Sequence, residues 1–471
     1  MAQPNLHLVP ALKAQPEILT QRQAGLSDLI ALQQSNPERY PFLLQSSADG
    51  GEANNTRYDI LFAFPGERLR LNAKGDLEGQ SATESQDFLA SLDQWWREES
   101  NNLTANNLDL PFQGGWFLYL GYELVAQIET RLQLPVPRSK QPVAEATRIP
   151  AAIINDRLKN ETLLFTEASI ATRMNQLLAD LEVLSTVPSL TTSPLAVSMQ
   201  ADPESCYIKQ AAQVKRYIYE GDVFQVNLSR KWQASKPATL DCADLYRNLC
   251  QQNPAPFSGL AHLAGLTIIS SSPERLVRVN KRQIETRPIA GTRPRHVQSE
   301  QDRALKSELI AHPKERAEHI MLIDLERNDL GRICQPGSIE VDELMAVESY
   351  AHVHHIVSNV RGQLREEISP AEVIRAVFPG GTITGCPKER CMAIIAELEQ
   401  EARGAYTGSM GYLNLNGDMD LNILIRTISV DAEHITLRAG AGLVADSDAK
   451  KELQETVHKA RGILLAIGES P

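Results

Sequence analysis

No stretch of the 471 residues approaches the ~18 apolar residues of a membrane-spanning helix. The N-terminal MAQPNLHLVPALKAQPE has neither the basic start nor the apolar run of a secretory signal. Basic residues are outnumbered, 47 Lys and Arg against 59 Asp and Glu, and the net charge of −12 excludes nucleic acid as the main partner. An anionic substrate must therefore meet a local basic pocket. The six cysteines, Cys206, Cys242, Cys250, Cys334, Cys386 and Cys391, include no C-x-x-C pair and no dense framework, which suits a reducing compartment. No Ser/His/Asp order, Cys/His metal spacing or repeat of fixed period is present. The expectation is a soluble cytoplasmic protein without membrane or nucleic-acid partners.

Apolar residues make up 42% of the chain, ample for a substantial core. Residues 1–185 alternate short strand-like and helical runs, 186–205 are rich in Ser, Thr and Pro and read as a connector, and 206–471 carry nearly all chemical signals. Strands recur without regular β-α-β alternation, and some adjoin as hairpins, such as Gly411 to Leu415 with Leu421 to Ser429. The pattern predicts an α+β fold with large antiparallel sheets.

The helical stretch from Lys314 to Gly331 places Glu315 and Glu318 on one face, beside His319. A second, Ala449 to Ile467, follows the start signal Asp446-Ser447-Asp448 and repeats the arrangement with Glu452 and Glu455, then Lys459 one turn on. Each is readable as a solvated charged face. Facing one another, the two pairs could share a hard cation, and oxygen-only ligands favour Mg²⁺ or Ca²⁺.

Gly380 and Gly385 have the separation of a phosphate loop, but Cys386-Pro387 intervene before Lys388, where a Walker loop needs Lys at once. Ala439-Gly440-Ala441-Gly442 reads either as a tight turn or as a concave set of N–H donors for a carboxylate. Arg426, in an apolar strand-like run, needs an anionic partner if it points inward. Glu274, in S-S-S-P-E-R-L, is either an exposed turn charge paired with Arg275 or a carboxyl kept protonated in a dry pocket, a general acid. The run from Thr286 to Thr292 reads as a strand ending in a Pro/Gly turn, and of His354 and His355 an alternating strand buries one and turns the other away.

Together the segments S-S-P-E-R, P-I-A-G-T, K-E-R-A-E-H with D-L-E-R-N-D, P-G-G-T-I-T-G-C-P-K, D-M-D with I-R-T, and A-G-A-G resemble the chorismate-utilising enzymes that share the anthranilate synthase component I fold. The resemblance spans essentially the whole chain. It implies two large antiparallel sheets packed together with helices outside and the active site between them. It also implies that Glu318 and Glu455 ligate Mg²⁺ against the ring carboxylate of chorismate, with Glu315 and Glu452 just outside or sharing the site. Arg426, Tyr406 and the backbone of Gly440, Ala441 and Gly442 would hold the enolpyruvyl side, with Gly291, Thr292 and Lys459 nearby. Glu274 would protonate the departing C4 hydroxyl, and His355 would lie against the ring.

Water-using relatives carry a Lys that activates water in a segment resembling G-D-V-F-Q-V-N-L-S, where this chain has Gln225. An amide has no useful basicity, so an ammonia user is implied, its ammonia supplied by a glutamine amidotransferase partner because no glutaminase Cys signature occurs here. Two ammonia-using branches remain. Ala290 stands where the branch aminating C4, which makes aminodeoxychorismate, usually has a covalent Lys, and so matches the anthranilate branch. A-P-F-S, P-F-Q-G-G, P-G-G-T-I-T-G, L-L-Q-S and V-H-H-I-V-S resemble the C4 branch, and these independent segments outweigh one residue. The segment ending at Ser46, with Pro256 and Phe257, would form the family's tryptophan site if one is kept.

Overall fold

The computed structural model describes residues 18–48, 56–80, 86–100, 109–137, 140–186, 197–296, 298–350 and 353–469. Within them two antiparallel sheets of 12 and 11 strands form the body, as the α+β reading expects. Both sheets draw strands from either side of the Ser/Thr/Pro-rich stretch, of which residues 187–196 lie outside the described set. In the first sheet Phe42–Gln45 pairs with Phe257–Leu263, and in the second Gly115–Leu120 pairs with Ser409–Asn414.

The inner faces meet in a shared apolar layer. Phe42 of the first sheet stacks on Phe117 of the second with ring centroids 4.0 Å apart, and Ile60, Phe62, Tyr119 and Met410 complete this core. Helices cover the outer faces. Helices Phe88–Ser100 and Pro370–Val377 bury their apolar stripes on the second sheet, and Cys242–Gln252 and Ala449–Ile467 bury theirs on the first. Ser369 and Glu372 close a capping box at the start of Pro370–Val377, and Asp448 caps Ala449–Ile467 by accepting from Lys450 and Lys451 N–H groups.

The chain passes from sheet to sheet at two adjacent places. Leu266–Ser272 lies in the first sheet and Arg275–Asn280 in the second, so the chain crosses at Pro273-Glu274. The expected single strand from Leu421 to Ser429 divides likewise: Met419–Asn422 pairs in the second sheet and Thr427–Val430 in the first. Arg426 therefore sits outside any strand, in the crossing, with φ +53°. Alternating apolar residues signalled extension, but an inward-facing run long enough for two sheets carries no mark of which sheet it serves.

Candidate active site

Glu274 and Arg426 occupy these two crossings, and the crossings bond to one another. Ile423 N–H donates to the Glu274 carbonyl at 3.0 Å, and Ser271 N–H to the Arg426 carbonyl at 3.1 Å. Glu274 is 5% exposed, which removes the exposed-turn reading, and Arg275 instead pairs with Asp420 at 2.9 Å. Burial pushes the Glu274 carboxyl up to about 7, against the Thr382 hydroxyl, the Ile289 N–H, Lys459 and Arg426. Burial also pulls the Arg426 guanidinium below its ordinary value, against Tyr406, Glu455 and Glu274. A proton-bearing carboxyl and a half-buried cation thus share one polar interior.

The glycine run Gly440 to Gly442 is not a turn. It lies inside strand His434–Leu443, with Gly440 opposite Ser229 and Gly442 opposite Asn227. A Cβ on Gly440 would stand 2.5 Å from Asn227 Oδ1 and 2.6 Å from the Tyr406 hydroxyl, and one on Gly442 would stand 2.3 Å from Gln225 Nε2. The missing side chains make room for those three polar groups, with Ala441 buried between them. Burial pushes the Tyr406 hydroxyl up to about 12, so it stays a hydrogen-bond donor.

Gln225 Nε2 donates to Glu318 Oε1 at 3.1 Å. Burial pushes the Glu318 carboxyl up, and the nearby Glu315 and Glu455 push the same way. Each carboxylate here has a partner: Arg293 lies 3.4 Å from Glu315, and Lys459 Nζ lies 2.7 Å from Glu455 and donates to the Gly440 carbonyl at 3.0 Å. Glu452 is buried one turn before Glu455. Among the described residues no three His, Cys, Asp or Glu side chains converge as a shared ion requires. The donor chemistry nevertheless fits a hard cation, because Glu315, Glu318 and Glu455 offer only oxygen ligands and lie near enough for Glu315 and Glu455 to raise the proton affinity of Glu318, a repulsion that a cation relieves.

The run from Thr286 to Thr292 also departs from expectation. Ile289–Pro294 is a strand paired with Val353–Gln363 and bulged at Gly291, whose φ is +66° and whose missing Cβ leaves room for Glu315 Oε2. Ala290, 5% exposed, lies opposite Ile356, and Thr292 opposite His355 in register. Both histidines are buried, rather than one, because helix Ser299–Ala311 covers the second face: His354 Nε2 lies 3.0 Å from Asp302 Oδ1. Burial lowers His355 to about 4, helped by Arg426, so its ring is neutral. His319 is neutral too, at about 4, its Nε2 2.7 Å from Ser358 Oγ.

The remaining expected residues lie apart. Pro256 and Phe257, with Leu44, Gln45, Arg275 and Met410, line a cleft of about 660 Å³ that includes none of Glu274, Glu318 or Arg426. Ser46 is buried beside it, its N–H donating to Asp59 at 3.2 Å, and does not line the cleft. Sequence reasoning missed Asn227, Arg293, Glu326 and Arg403. A signal existed for Glu326 and Asp329: they continue the apolar side of helix Pro313–Gly331 from Leu322 at intervals of four and three, where a carboxyl must be buried.

A model of the chorismate binding enzyme family matches residues 39–465. The chain is 42% identical over 371 residues to an anthranilate synthase component I-like protein of Synechocystis sp., covering 78% of this chain and 75% of that one. It is 40% identical over 370 residues to aminodeoxychorismate synthase component 1 of Bacillus subtilis, covering 76% and 78%. The crystal structure of anthranilate synthase component I from Streptococcus pneumoniae superposes with a TM-score of 0.77 at 32% identity, over 87% of this chain and 92% of that one. The chain therefore belongs to the chorismate binding enzyme family, the chorismate-utilising enzymes.

Proposed function

We propose that this enzyme aminates chorismate at C4, as component I of an aminodeoxychorismate synthase feeding para-aminobenzoate and folate synthesis, with ammonia from a glutamine amidotransferase partner. The observation that carries the amination is Gln225: the side chain where a water-activating base would stand is an amide committed to Glu318. It orients a carboxylate and accepts no proton from water, so the nucleophile must arrive already nucleophilic. The C4 assignment rests on the segments resembling that branch, among them Ala255 to Ser258 and Pro111 to Gly115.

Glu318 and Glu455, with Glu315 and Glu452 beside them, would hold Mg²⁺, which supplies positive charge for the ring carboxylate. Arg426 and the Tyr406 hydroxyl bind the enolpyruvyl carboxylate at the opening left by Gly440. Glu274 gives its proton to the departing C4 hydroxyl, and the neutral, buried His355 closes the ring's flank without competing for that proton. Ala290 offers no nucleophile, so amination here proceeds without a protein-bound intermediate at that position.

A second reading, amination at C2 to give anthranilate and pyruvate, is favoured by Ala290 and by the names of several relatives. Product analysis from chorismate, Mg²⁺ and ammonium decides. Aminodeoxychorismate, converted to para-aminobenzoate only when a lyase is added, is expected. Anthranilate with pyruvate in the absence of a lyase refutes C4 amination, and isochorismate as the main product refutes the argument from Gln225.

A further inference from the structure

Two buried amide oxygens beside Glu318 have no task in the proposed reaction. Gln225 and Asn227 stand two residues apart on strand Gln225–Ser235, so their side chains leave the same face of the sheet. Val226 and Leu228 turn the other way, into an apolar cluster with Leu443 and Leu453. Gln225 is 4% exposed and Asn227 8% exposed. Among the described residues neither Gln225 Oε1 nor Asn227 Oδ1 has a hydrogen-bond partner. A buried carbonyl oxygen without a donor is costly, and a functional site keeps one where a ligand brings the donor.

Both amides are held in place. Gln225 Nε2 donates to Glu318 Oε1 at 3.1 Å, and exchanging the amide's two ends would set oxygen against a carboxylate, so Oε1 is committed as an acceptor. Asn227 is fixed through its backbone: its N–H donates to the Thr384 carbonyl at 3.0 Å, and its own carbonyl accepts from Arg403 Nη2 at 2.7 Å. Its Oδ1 is aimed at Gly440, 2.5 Å from where a Cβ would stand, with the Tyr406 hydroxyl 2.6 Å from the same point. A Cβ on Gly442 would stand 2.3 Å from Gln225 Nε2. The two glycines therefore keep clear the strip of sheet that both amides face. Lys459 Nζ, at the same strip, is already engaged by the Gly440 carbonyl at 3.0 Å and by Glu455 at 2.7 Å.

Two fixed acceptors suit a small molecule that brings its own N–H or O–H groups. Ammonia has three N–H donors and one lone pair, so it can donate to both oxygens and keep the lone pair for carbon. An amide oxygen is no base, and water held on the same oxygens finds no group there to take its proton.

We propose that Asn227 Oδ1 and Gln225 Oε1 together form the binding site of the ammonia nucleophile. The inference rests on the reading of the chain as an ammonia user. Over a turnover the nitrogen lone pair forms the C–N bond, the C–O bond of the ring hydroxyl breaks, and that oxygen leaves as water with the Glu274 proton. The product amine keeps the three hydrogens as an ammonium group, and Glu274 recovers its proton from solvent.

Steady-state kinetics with ammonium chloride and chorismate varied independently test the site in wild type, Asn227→Leu and Asn227→Ala, with circular dichroism for folding. Asn227→Leu keeps the bulk and removes the oxygen, and Asn227→Ala removes it without adding bulk should Asn227→Leu fail to fold. Each folded variant is expected to raise KM for ammonium about tenfold and to keep KM for chorismate within about twofold. An unchanged KM for ammonium, or a loss confined to kcat, overturns the proposal. A matching rise in KM for chorismate also overturns it, since the oxygen would then serve that substrate. Products are identified in the same assays. Anthranilate would overturn the C4 assignment and leave the ammonia site supported by the KM split, whereas isochorismate formed at a rate independent of ammonium would overturn both.

Discussion

Replacing Arg403 by Met should destabilise the whole protein and loosen the site at once. The Arg403 and Glu399 side chains are 1% and 2% exposed. Their contact is bidentate, Nε to Oε2 at 2.9 Å and Nη2 to Oε1 at 2.6 Å. The same guanidinium donates to the Asn227 carbonyl at 2.7 Å and the Ile383 carbonyl at 3.3 Å, tying the strand that bears Gln225 and Asn227 to the turn that bears Thr382. Arg403→Met strands a buried carboxylate, left with Arg438 at 3.4 Å and Ser229 at 2.9 Å. Breaking such a pair costs about 3–5 kcal/mol. With an unfolding entropy of about 2.1 cal/mol/K per residue, 471 residues give about 1 kcal/mol/K, so the midpoint should fall by about 3–5 °C. Differential scanning calorimetry reads it, and Glu399→Leu added to Arg403→Met should recover part of the loss because no charge is then stranded. The pH dependence has a definite sign. Burial alone would raise Glu399, yet Arg403 and Arg438 hold it below its ordinary value, so its contribution is complete above the unfolded carboxyl's range of about 4 and fades as pH falls through it. The gap between wild type and Arg403→Met should narrow accordingly. A midpoint within 1 °C of wild type, or a double variant no better than the single one, would refute the reasoning.

Glu274→Gln should lower turnover by about 10²–10⁴-fold, measured as chorismate loss. The same change should raise stability at pH 8: a carboxyl whose folded value is about 7 favours the folded state below its unfolded value and loses that contribution as pH rises, by up to about 3 kcal/mol. An unfolding midpoint for Glu274→Gln at or below wild type at pH 8 would count against its burial as an acid. Glu318→Gln and Glu455→Gln should each abolish turnover with the fold retained, chelation should do the same reversibly, and full activity at ordinary Mg²⁺ would remove the metal assignment. Gly440→Ala, whose Cβ would stand 2.5 Å from Asn227 Oδ1, should cost about 10²-fold in kcat/KM, and a wild-type value would show that the opening is not used by substrate. The purified chain should use ammonium salts at alkaline pH and glutamine only when an amidotransferase subunit is added; glutamine turnover by the chain alone contradicts this.

The sequence made the helices legible because their signals are local. Helix Ala449–Ile467 has the bounds that its Asp start signal and apolar stripe predict, and Pro313–Gly331 differs from expectation by one residue at its start. The repeated Glu pairs raised Glu318 and Glu455 as partners across a site without placing them together, and Glu274 near Arg426 was legible only through resemblance, since nothing in the spacing of distant segments brings them together. What was misread depends on the far face of a strand. Gly440 and Gly442 left a tight turn and a concave set of N–H donors equally open, whereas they lie inside a strand and their reason lies across the ladder in Asn227 and Gln225. Alternation turned one of His354 and His355 away because it assumes one covered face, whereas both are buried and Asp302 reaches His354 from another helix.

The two kinds of functional residue sit on different supports, and the difference is physical. A strand that leaves one sheet for another must abandon its ladder for a few residues, so its backbone groups need substitutes. Here the crossings satisfy one another: Ile423 and Glu274, Ser271 and Arg426, and the Ser272 hydroxyl donating to the Ile423 carbonyl. Pro273 removes one donor from this exchange, and Arg426 adopts a left-handed φ of +53° that fits the tight return. The acid and the arginine are therefore spaced by the sheets, whose separation is set by stacked rings such as Phe42 on Phe117. The carboxylates, by contrast, project from helices Pro313–Gly331 and Ala449–Ile467, where a side-chain rotamer change moves an oxygen without disturbing any ladder. A rigid acid opposite adjustable carboxylates suits the amination proposed above: proton delivery to one oxygen demands fixed geometry, whereas carboxylates paired with Arg293 and Lys459 would exchange those cations for the proposed metal ion, which in turn would hold the substrate carboxylate.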